Sequence, residues 1–324
     1  MRNICNKNHK ITSLLTVVFL LIFMNACSRG PTQSDSPAGF TFTDDLGREV
    51  VVSEPQRTAA LLGSFADVWY LAGGTVVASA DDAWEDFDLS LPKDAVNLGM
   101  TKRPSMEALF SAQPDFILAS ANTQLHLDWM DTLDAAKIPT AYFDVSDFPD
   151  YLRLLELCTR ITGREDLYEA NGLAVQEQIN RVIISSQQRL QNTEAAPTVL
   201  NLRASATYIR AKNSTGNVLG EMLKALGCIN IADSDISLLE NLSVEHILLQ
   251  DPDFIFIVQQ GDDPEAIRKH VDAFFAQQPA LAQLTAVKEG RVFIMDKTLY
   301  SLKPNARWGE AYEKLEAILA NENG

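Results

Sequence analysis

Cysteine and histidine are scarce in this 324-residue sequence, which contains four residues of each type. No two cysteines have the C-x-x-C spacing of a structural zinc site, and they stand at Cys5, Cys27, Cys158 and Cys228. The H-E-x-x-H pattern of zinc hydrolases, the G-x-S-x-G turn of serine hydrolases and the G-x-x-x-x-G-K-S/T phosphate loop are also missing. These absences argue against a zinc carrier, a hydrolase and an ATPase. No catalytic residue, metal site or cofactor is predicted, and Cys158 and Cys228 are expected to be buried as small apolar residues.

Positive charge is also in short supply. The chain has 27 Lys and Arg residues against 43 Asp and Glu residues, which gives a formal net charge of -16. An acidic protein of this kind is repelled by nucleic acid and by anionic lipid headgroups, so no nucleic-acid partner is predicted. A covalent lipid, rather than a basic patch, is expected to hold such a protein at a membrane.

The longest apolar run, residues 14–24 (LLTVVFLLIFM), falls short of the roughly 20 residues that a membrane-spanning helix needs. Basic residues precede the run, and Ala26 and Cys27 follow it, which is the order of an export signal. A membrane-spanning helix is the alternative, but it leaves this ending unexplained. The segment resembles a bacterial lipoprotein signal, although the two residues before Ala26 depart from the usual pattern. The resemblance implies a signal peptide at 1–26, a lipid on Cys27, and an exported protein at the outer face of the cytoplasmic membrane or in the periplasm.

The rest of the chain divides by composition and periodicity. A stretch rich in Ser, Pro and Gly cannot bury enough apolar surface to fold, and a hairpin around Asp45-Leu46-Gly47 follows it. Apolar residues at helical spacing come later, with an interruption at Thr162-Gly163. The predicted segments are a flexible tether at 27–39, an N-terminal α/β lobe at 40–147, a linking helical segment at 148–192 and a C-terminal α/β lobe at 193–324.

One segment of the sequence occurs twice. SMEALFSAQPDFILA begins at Ser105 and SVEHILLQDPDFIFI begins at Ser243, an offset of 138 with six of fifteen positions identical. In each copy the serine can cap a helix, the glutamate two residues later lies in the first turn, and the proline ends the helix before a buried strand. Each lobe is therefore predicted to contain the same helix-to-strand unit.

The apolar runs FILAS and FIFIV indicate strands that are buried on both faces, as in a parallel sheet with helical crossovers. The predicted fold class is α/β, with two similar lobes around parallel-type central sheets, a long helix joining the lobes, and a ligand cleft between them. The chain is expected to act as a monomer.

At this point the sequence resembles the periplasmic-binding-protein family that serves siderophore, haem and cobalamin importers. The resemblance covers nearly the whole chain after residue 39. It rests on the order of several segments, namely RTAAL at 57–61, PSMEALFSAQPDFIL at 104–118, TGRE at 162–165, LGEMLKALGCINIA at 219–232, LSVEHILLQDPDFIFI at 242–257 and KPNARWGEAYEKLEAIL at 303–319. It implies a non-enzymatic ABC importer component that captures an iron complex, such as a ferric siderophore, and delivers it to a permease.

The resemblance also implies a role for the two repeated glutamates, Glu107 and Glu245. In the family, one exposed glutamate of each lobe meets arginines on the permease dimer, and the repeat gives two equivalent carboxylates for a two-fold partner. The alternative is that both are merely acids favoured by the helix dipole, which explains one occurrence but not the repeat.

The ligand is expected between the lobes, at the carboxyl ends of the strands. Candidate contacts in or near these loops are Phe65, Trp84, Met100, Thr101 and Asn122 in the first lobe, and Arg203, Tyr208, Tyr300, Lys303 and Arg307 in the second. Arg203 follows the strand VLNL, and local positive charge would suit an anionic chelate. Trp84 is flanked by acids and is therefore expected outside the core, whereas Trp308 is expected to pack.

Other ligands and other functions stay open at this stage. Met100 is compatible with haem ligation, and cobalamin binding in the same role is a further alternative. A chelatase-like enzyme could use two similar α/β lobes to insert a metal into a tetrapyrrole, although export argues against it. A signalling sensor of the same fold would need an output domain, and this chain contains none.

Overall fold

A computed structural model describes residues 39–234, 236–261 and 263–320. The predicted signal peptide, Cys27 and nearly all of the predicted tether lie outside these residues. The strands are β1 (Phe40–Thr43), β2 (Glu49–Val52), β3 (Thr58–Ala60), β4 (Val76–Ser79), β5 (Val96–Asn97), β6 (Phe116–Ser120), β7 (Thr140–Phe143), β8 (Thr198–Ala204), β9 (Ile209–Lys212), β10 (Ile229–Asn230), β11 (Phe254–Gln259) and β12 (Val292–Met295).

Fifteen α-helices are described in the same ranges. They are α1 (Gly63–Leu71), α2 (Asp82–Glu85), α3 (Met106–Ser111), α4 (Gln124–Asp128), α5 (Met130–Ala135), α6 (Phe148–Thr162), α7 (Glu165–Tyr168), α8 (Ala174–Leu190), α9 (Val218–Ala225), α10 (Ile236–Asn241), α11 (Val244–Gln250), α12 (Pro264–Gln277), α13 (Thr285–Lys288), α14 (Lys297–Tyr300) and α15 (Trp308–Ala320). Among the described residues, no helix is both long and apolar enough to cross a membrane.

Two five-stranded sheets organise the fold. The first has the order β5-β4-β3-β6-β7, and all of its neighbouring strands run parallel. The second has the order β10-β8-β11-β12, also parallel, while β9 pairs antiparallel with β8. Every residue of β6 and five of the six in β11 are buried, as sheets covered by helices require. The predicted α/β class with parallel sheets is confirmed, and β1 and β2 form the predicted antiparallel hairpin.

The segment between the sheets is helical and is broken where the sequence indicates. Helix α6 ends at Thr162, and Gly163 follows in the left-handed conformation with φ 68, which glycine adopts without a steric penalty. From residue 165 to 190 the helix then runs without a gap through α7, a π-helical turn (Glu169–Leu173) and α8. Trp308, at the start of α15, is fully buried as expected and packs edge-on against Phe148 of α6.

The repeated segments adopt the same local structure. The Ser105 hydroxyl accepts a hydrogen bond from the Ala108 N–H at 3.1 Å, and the Ser243 hydroxyl accepts one from the His246 N–H at 3.3 Å. Each helix is followed by a residue with positive φ just before the proline, Gln113 with φ 49 and Asp251 with φ 43. The serine caps and the proline stops are thus where the sequence predicts them.

The aspartate of each Pro-Asp-Phe-Ile run ties its strand to the start of a neighbouring strand in the same sheet, which is β3 in the first lobe and β8 in the second. The Asp115 carboxylate accepts hydrogen bonds from the Gln56 and Arg57 N–H groups at 2.8 and 2.9 Å. In the second lobe, the Asp253 carboxylate accepts bonds from the N–H and the hydroxyl of Thr198, each at 2.7 Å. The identity of this residue in both copies therefore reflects a shared structural bond.

Candidate ligand-binding site

A cavity of about 310 Å³ lies between the two lobes. It is formed where β4, β5, β8, β11 and β12 end, which is the edge of a parallel sheet at which ligands are generally bound. The first lobe contributes Asp81, Asp82, Glu85, Asp86, Met100, Thr101 and Lys102, and the second contributes Arg203, Gln260, Gly261, Lys297, Ser301 and Leu302.

The wall from the first lobe is acidic, and Asp82 is its most buried carboxylate. Its side chain accepts a hydrogen bond from the Gly63 N–H at 2.9 Å. A β-carbon on Gly63 would stand 2.5 Å from the Ala83 nitrogen, so only glycine allows this close packing of α1 against α2. Burial raises the pKa of Asp82 to about 6, the Gly63 N–H opposes the rise, and the nearby carboxylates of Asp86 and Asp81 add to it.

The wall from the second lobe carries a partly buried cation, Arg203. Arg203 is the penultimate residue of β8, and its Nε is buried without a hydrogen bond among the described residues. Arg203 pairs in register with Arg210 of β9, and Lys212 lies two residues further along the same face. Burial lowers the pKa of both Arg203 and Lys212, and the positive charges of Arg203 and Arg210 lower that of Lys212 further.

None of these three basic residues forms an ion pair with a described residue of this acidic chain. Arg203, Arg210 and Lys212 are named the β8–β9 basic cluster below. Arg203 is the member of this cluster that lines the cavity, and Arg210 is exposed. Because Arg203 is partly removed from water, an anion in the cavity would offset the cost of its charge.

Two contacts join the lobes beside the cavity. The Lys297 ammonium donates to both carboxylate oxygens of Asp86 at 2.9 Å. The side-chain amide of Asn305, which is fully buried, donates to the Ser64 carbonyl oxygen and to the Asp67 carboxylate, each at 2.8 Å. The first contact lines the cavity, whereas the second lies behind it.

Three of the predicted ligand contacts, Met100, Thr101 and Arg203, line the cavity. Met100 is 57% exposed. Tyr208 lines an adjoining groove, and its hydroxyl donates to the Gln260 side-chain oxygen at 2.5 Å, so it positions a residue of the cavity wall.

Three other predicted contacts, Phe65, Trp84 and Tyr300, do not line the cavity. Phe65 is fully buried and packs edge-on against Phe143, because α1 begins at Gly63 and turns this ring into the core. Tyr300 is buried, and its hydroxyl donates to the Ala311 carbonyl oxygen at 3.0 Å. Trp84 is half-buried against the core, since the short helix α2 points the acids around it at the cavity and its indole inward.

The remaining candidates lie near the cavity without lining it. The Asn122 side-chain amide is bonded to the Asp144 carboxylate. The Lys303 ammonium lies 5.7 Å from the centre of the Phe65 ring, and burial lowers its pKa against the opposing charges of Asp144 and Asp82. Arg307 is exposed and forms an ion pair with Glu310 at 2.7 Å.

Several lining residues were not predicted from the sequence. The acids of DDAWEDF are a visible signal, because four carboxylates within six residues, directly after a buried strand, lie at a sheet edge. Gln260 comes directly after the buried strand β11, so the rule that selected Arg203 could have found it. Lys297 follows β12, of which only Met295 is buried, and that strand gives a weaker signal.

The chain matches a model of the periplasmic binding protein family over residues 59–299. It belongs to this family. The Fe(3+)-citrate-binding protein YfmC of Bacillus subtilis is 27% identical over 316 residues, which cover 93% of each chain. The candidate ABC transporter substrate-binding lipoprotein YhfQ of the same bacterium is 24% identical, over 91% of this chain and 93% of that one.

A solved structure supports the same fold. The crystal structure of Staphylococcus aureus SirA complexed with staphyloferrin B superposes with a TM-score of 0.66 and 21% identity, over 87% of this chain and 97% of that one. The predicted family and two-lobed fold are thereby confirmed, and this periplasmic binding protein is a substrate-binding component of the ABC importer class.

The two repeated glutamates of this periplasmic binding protein are both exposed. Glu107 lies in the first turn of α3 and Glu245 in the first turn of α11. Neither residue lines the cavity between the lobes. Their carboxylates are therefore accessible to a partner while the cavity holds a ligand.

Proposed function

We propose that this protein captures an anionic ferric chelate outside the cytoplasmic membrane and delivers it, chemically unchanged, to an ABC permease. The observation that carries the proposal is the half-buried Arg203, which lines the cavity and whose buried Nε has no hydrogen bond among the described residues. A carboxylate of the chelate would complete its hydrogen bonds and offset its desolvation.

The whole β8–β9 basic cluster favours a ligand with more than one negative charge. Arg210 and Lys212 add positive charge to the face of the hairpin that carries Arg203, and an anion beside Arg203 would reduce the repulsion among the three. The names of related proteins point to the same ligand class, since YfmC is named for ferric citrate and SirA was solved with staphyloferrin B. The acidic wall opposite would accept hydrogen bonds from hydroxyl or amide groups of the chelate.

The proposed place of capture rests on the export signal predicted for residues 1–26. Lipidation of Cys27 would tether the folded part through residues 28–39 and keep it beside its permease. The related YhfQ is described as a lipoprotein, which supports this anchoring. Docking through Glu107 and Glu245 would then align the cavity with the permease, because the two helix starts are related by the internal repeat.

Titration of the purified protein with ferric citrate and ferric siderophores tests the proposal. Replacing Arg203 with alanine removes a charge-assisted hydrogen bond of about 1.5–3 kcal/mol, so affinity should fall by roughly 10- to 100-fold. Arg181→Ala is the matched control, since this exposed arginine of α8 carries the same charge and does not line the cavity. Equal affinities for the two variants would contradict the role of Arg203.

Haem is the second candidate ligand, and the exposed thioether of Met100 at the cavity favours it. Haemin bound through a methionine would change its absorption spectrum, and Met100→Ala would abolish that change. A chelatase-like activity would instead release a chemically altered tetrapyrrole, which mass spectrometry of the incubated mixture would detect.

A further inference from the structure

The ion pair between Asp86 and Lys297 lies in the wall of the cavity, where a bound ligand would contact it. Both residues line the cavity, and they come from opposite lobes. Their side chains are 22% and 25% exposed, so the pair is neither fully buried nor freely solvated. An ion pair of this exposure is stable enough to form and weak enough to exchange partners.

Asp86 also lines a second cavity. This neighbouring space of about 270 Å³ is bounded by Asp67, Leu71, Phe87, Thr298, Pro304, Ala306 and Arg307 as well. Asp86 is the residue that both cavities share. Its carboxylate therefore has room to move away from Lys297 without entering the space that a ligand would occupy.

The lobes need not separate when this ion pair opens. The buried Asn305 amide still joins Ser64 and Asp67 to the second lobe, through two hydrogen bonds of 2.8 Å. The Asp86–Lys297 ion pair can therefore break while the Asn305 hydrogen bonds keep the two lobes in contact.

We infer that Asp86 occupies Lys297 in place of an anionic group of the ligand and is displaced from it on binding. Lys297 is then a ligand-binding residue, and Asp86 determines specificity by competing with the ligand for it. Only a ligand whose anionic group outcompetes the Asp86 carboxylate gains this second cation beside Arg203. The inference deepens the proposed function and rests on it for the identity of the ligand.

The exchange makes opposite predictions for the two partners. Asp86→Asn removes the charge of this competitor, so affinity for ferric citrate should rise by about 1.5- to 5-fold, as expected for an ion pair of this exposure. Lys297→Gln removes the cation and should lower affinity. If the pair only held the lobes together, both variants would bind more weakly than the wild type.

Glu85→Gln is the matched control. Glu85 lines the same wall, so this variant removes one negative charge there and leaves the Asp86–Lys297 pair intact. A rise in ligand affinity for Asp86→Asn that clearly exceeds the rise for Glu85→Gln supports displacement of Asp86 from Lys297. It argues against a general change in the electrostatic potential of the cavity. Equal gains, or no gain for Asp86→Asn, would overturn the inference.

Calorimetric titrations with ferric citrate and with iron-free citrate separate the two hypotheses. Failure of ferric chelates to bind the wild type would refute the proposed function. Iron-free citrate still presents carboxylates to Lys297, so a tighter complex with Asp86→Asn than with Glu85→Gln would support the exchange even then. Failure of Asp86→Asn to bind either form would overturn the exchange as well. Circular dichroism of each variant establishes that it is folded.

Discussion

Replacing Asp82 with asparagine should stabilise the ligand-free protein at neutral pH and leave it unchanged in acid. Asp82 is 8% exposed, and burial is the main cause that raises its pKa from the ordinary 3.8 to about 6. A rise of this size corresponds to about 3 kcal/mol in favour of the neutral carboxyl group. The acidic wall of the cavity is thus maintained at a cost in stability, as is common at binding sites.

The sign of the pH dependence follows from the direction of the shift. The folded-state pKa lies above the unfolded-state value, so the folded protein binds this proton more tightly. The resulting contribution to stability is fully present below pH 3.8 and is lost as the pH rises through about 6. Asparagine is neutral throughout and keeps an oxygen for the Gly63 N–H, so the variant avoids this loss.

Thermal unfolding followed by circular dichroism, from pH 4 to pH 8, measures the effect. Asp82→Asn should exceed the wild type by about 1–3 kcal/mol at pH 8, or roughly 5 °C in Tm, and should converge with it near pH 4. Asp272→Asn is the control, since Asp272 is exposed in the middle of α12, and it should change stability by less than about 0.5 kcal/mol. A difference that is constant with pH, or a less stable Asp82→Asn variant at pH 8, would refute the reasoning.

Two further predictions concern docking and anchoring. Glu107→Arg combined with Glu245→Arg should abolish uptake in cells that carry the cognate permease. Ligand affinity should stay unchanged, because both carboxylates lie outside the cavity. Full uptake by the double variant, or an equal loss of uptake for the exposed Glu177→Arg control on α8, would refute the docking assignment. Cys27→Ala should release the protein from membranes, and a variant that stays with the membrane fraction after a carbonate wash would show that no lipid on this residue is needed.

The parts of the fold that depend on local pattern could be read from the sequence. The cap at Ser105, the stop at Pro114 and the buried strand after it each depend on neighbours in the chain. The same holds for their counterparts after Ser243, and for the break at Gly163. Such features need no knowledge of which elements meet in space.

The site could be predicted only in part, because it depends on which way short elements face. Arg203 was found since it follows the run VLNL of a long, largely buried strand. Trp84 was misplaced because α2 has four residues, too few to show a helical period, and its acids rather than its indole face the cavity. Phe65 and Tyr300 were expected in or near the loops of the cleft, but the helices that contain them turn both rings inward. The pairing of Asp86 with Lys297 joins residues 211 positions apart, and no local pattern predicts it.

The central claim is that the protein carries an intact ferric chelate. Native mass spectrometry of the protein, purified without denaturation from cells that carry its transport system, tests this most directly when combined with an absorption spectrum. We expect a single additional mass equal to one ferric chelate, with lower occupancy in the Arg203→Ala variant and unchanged occupancy in Arg181→Ala. A bound molecule that contains no iron, or a chelate released in chemically altered form, would contradict it.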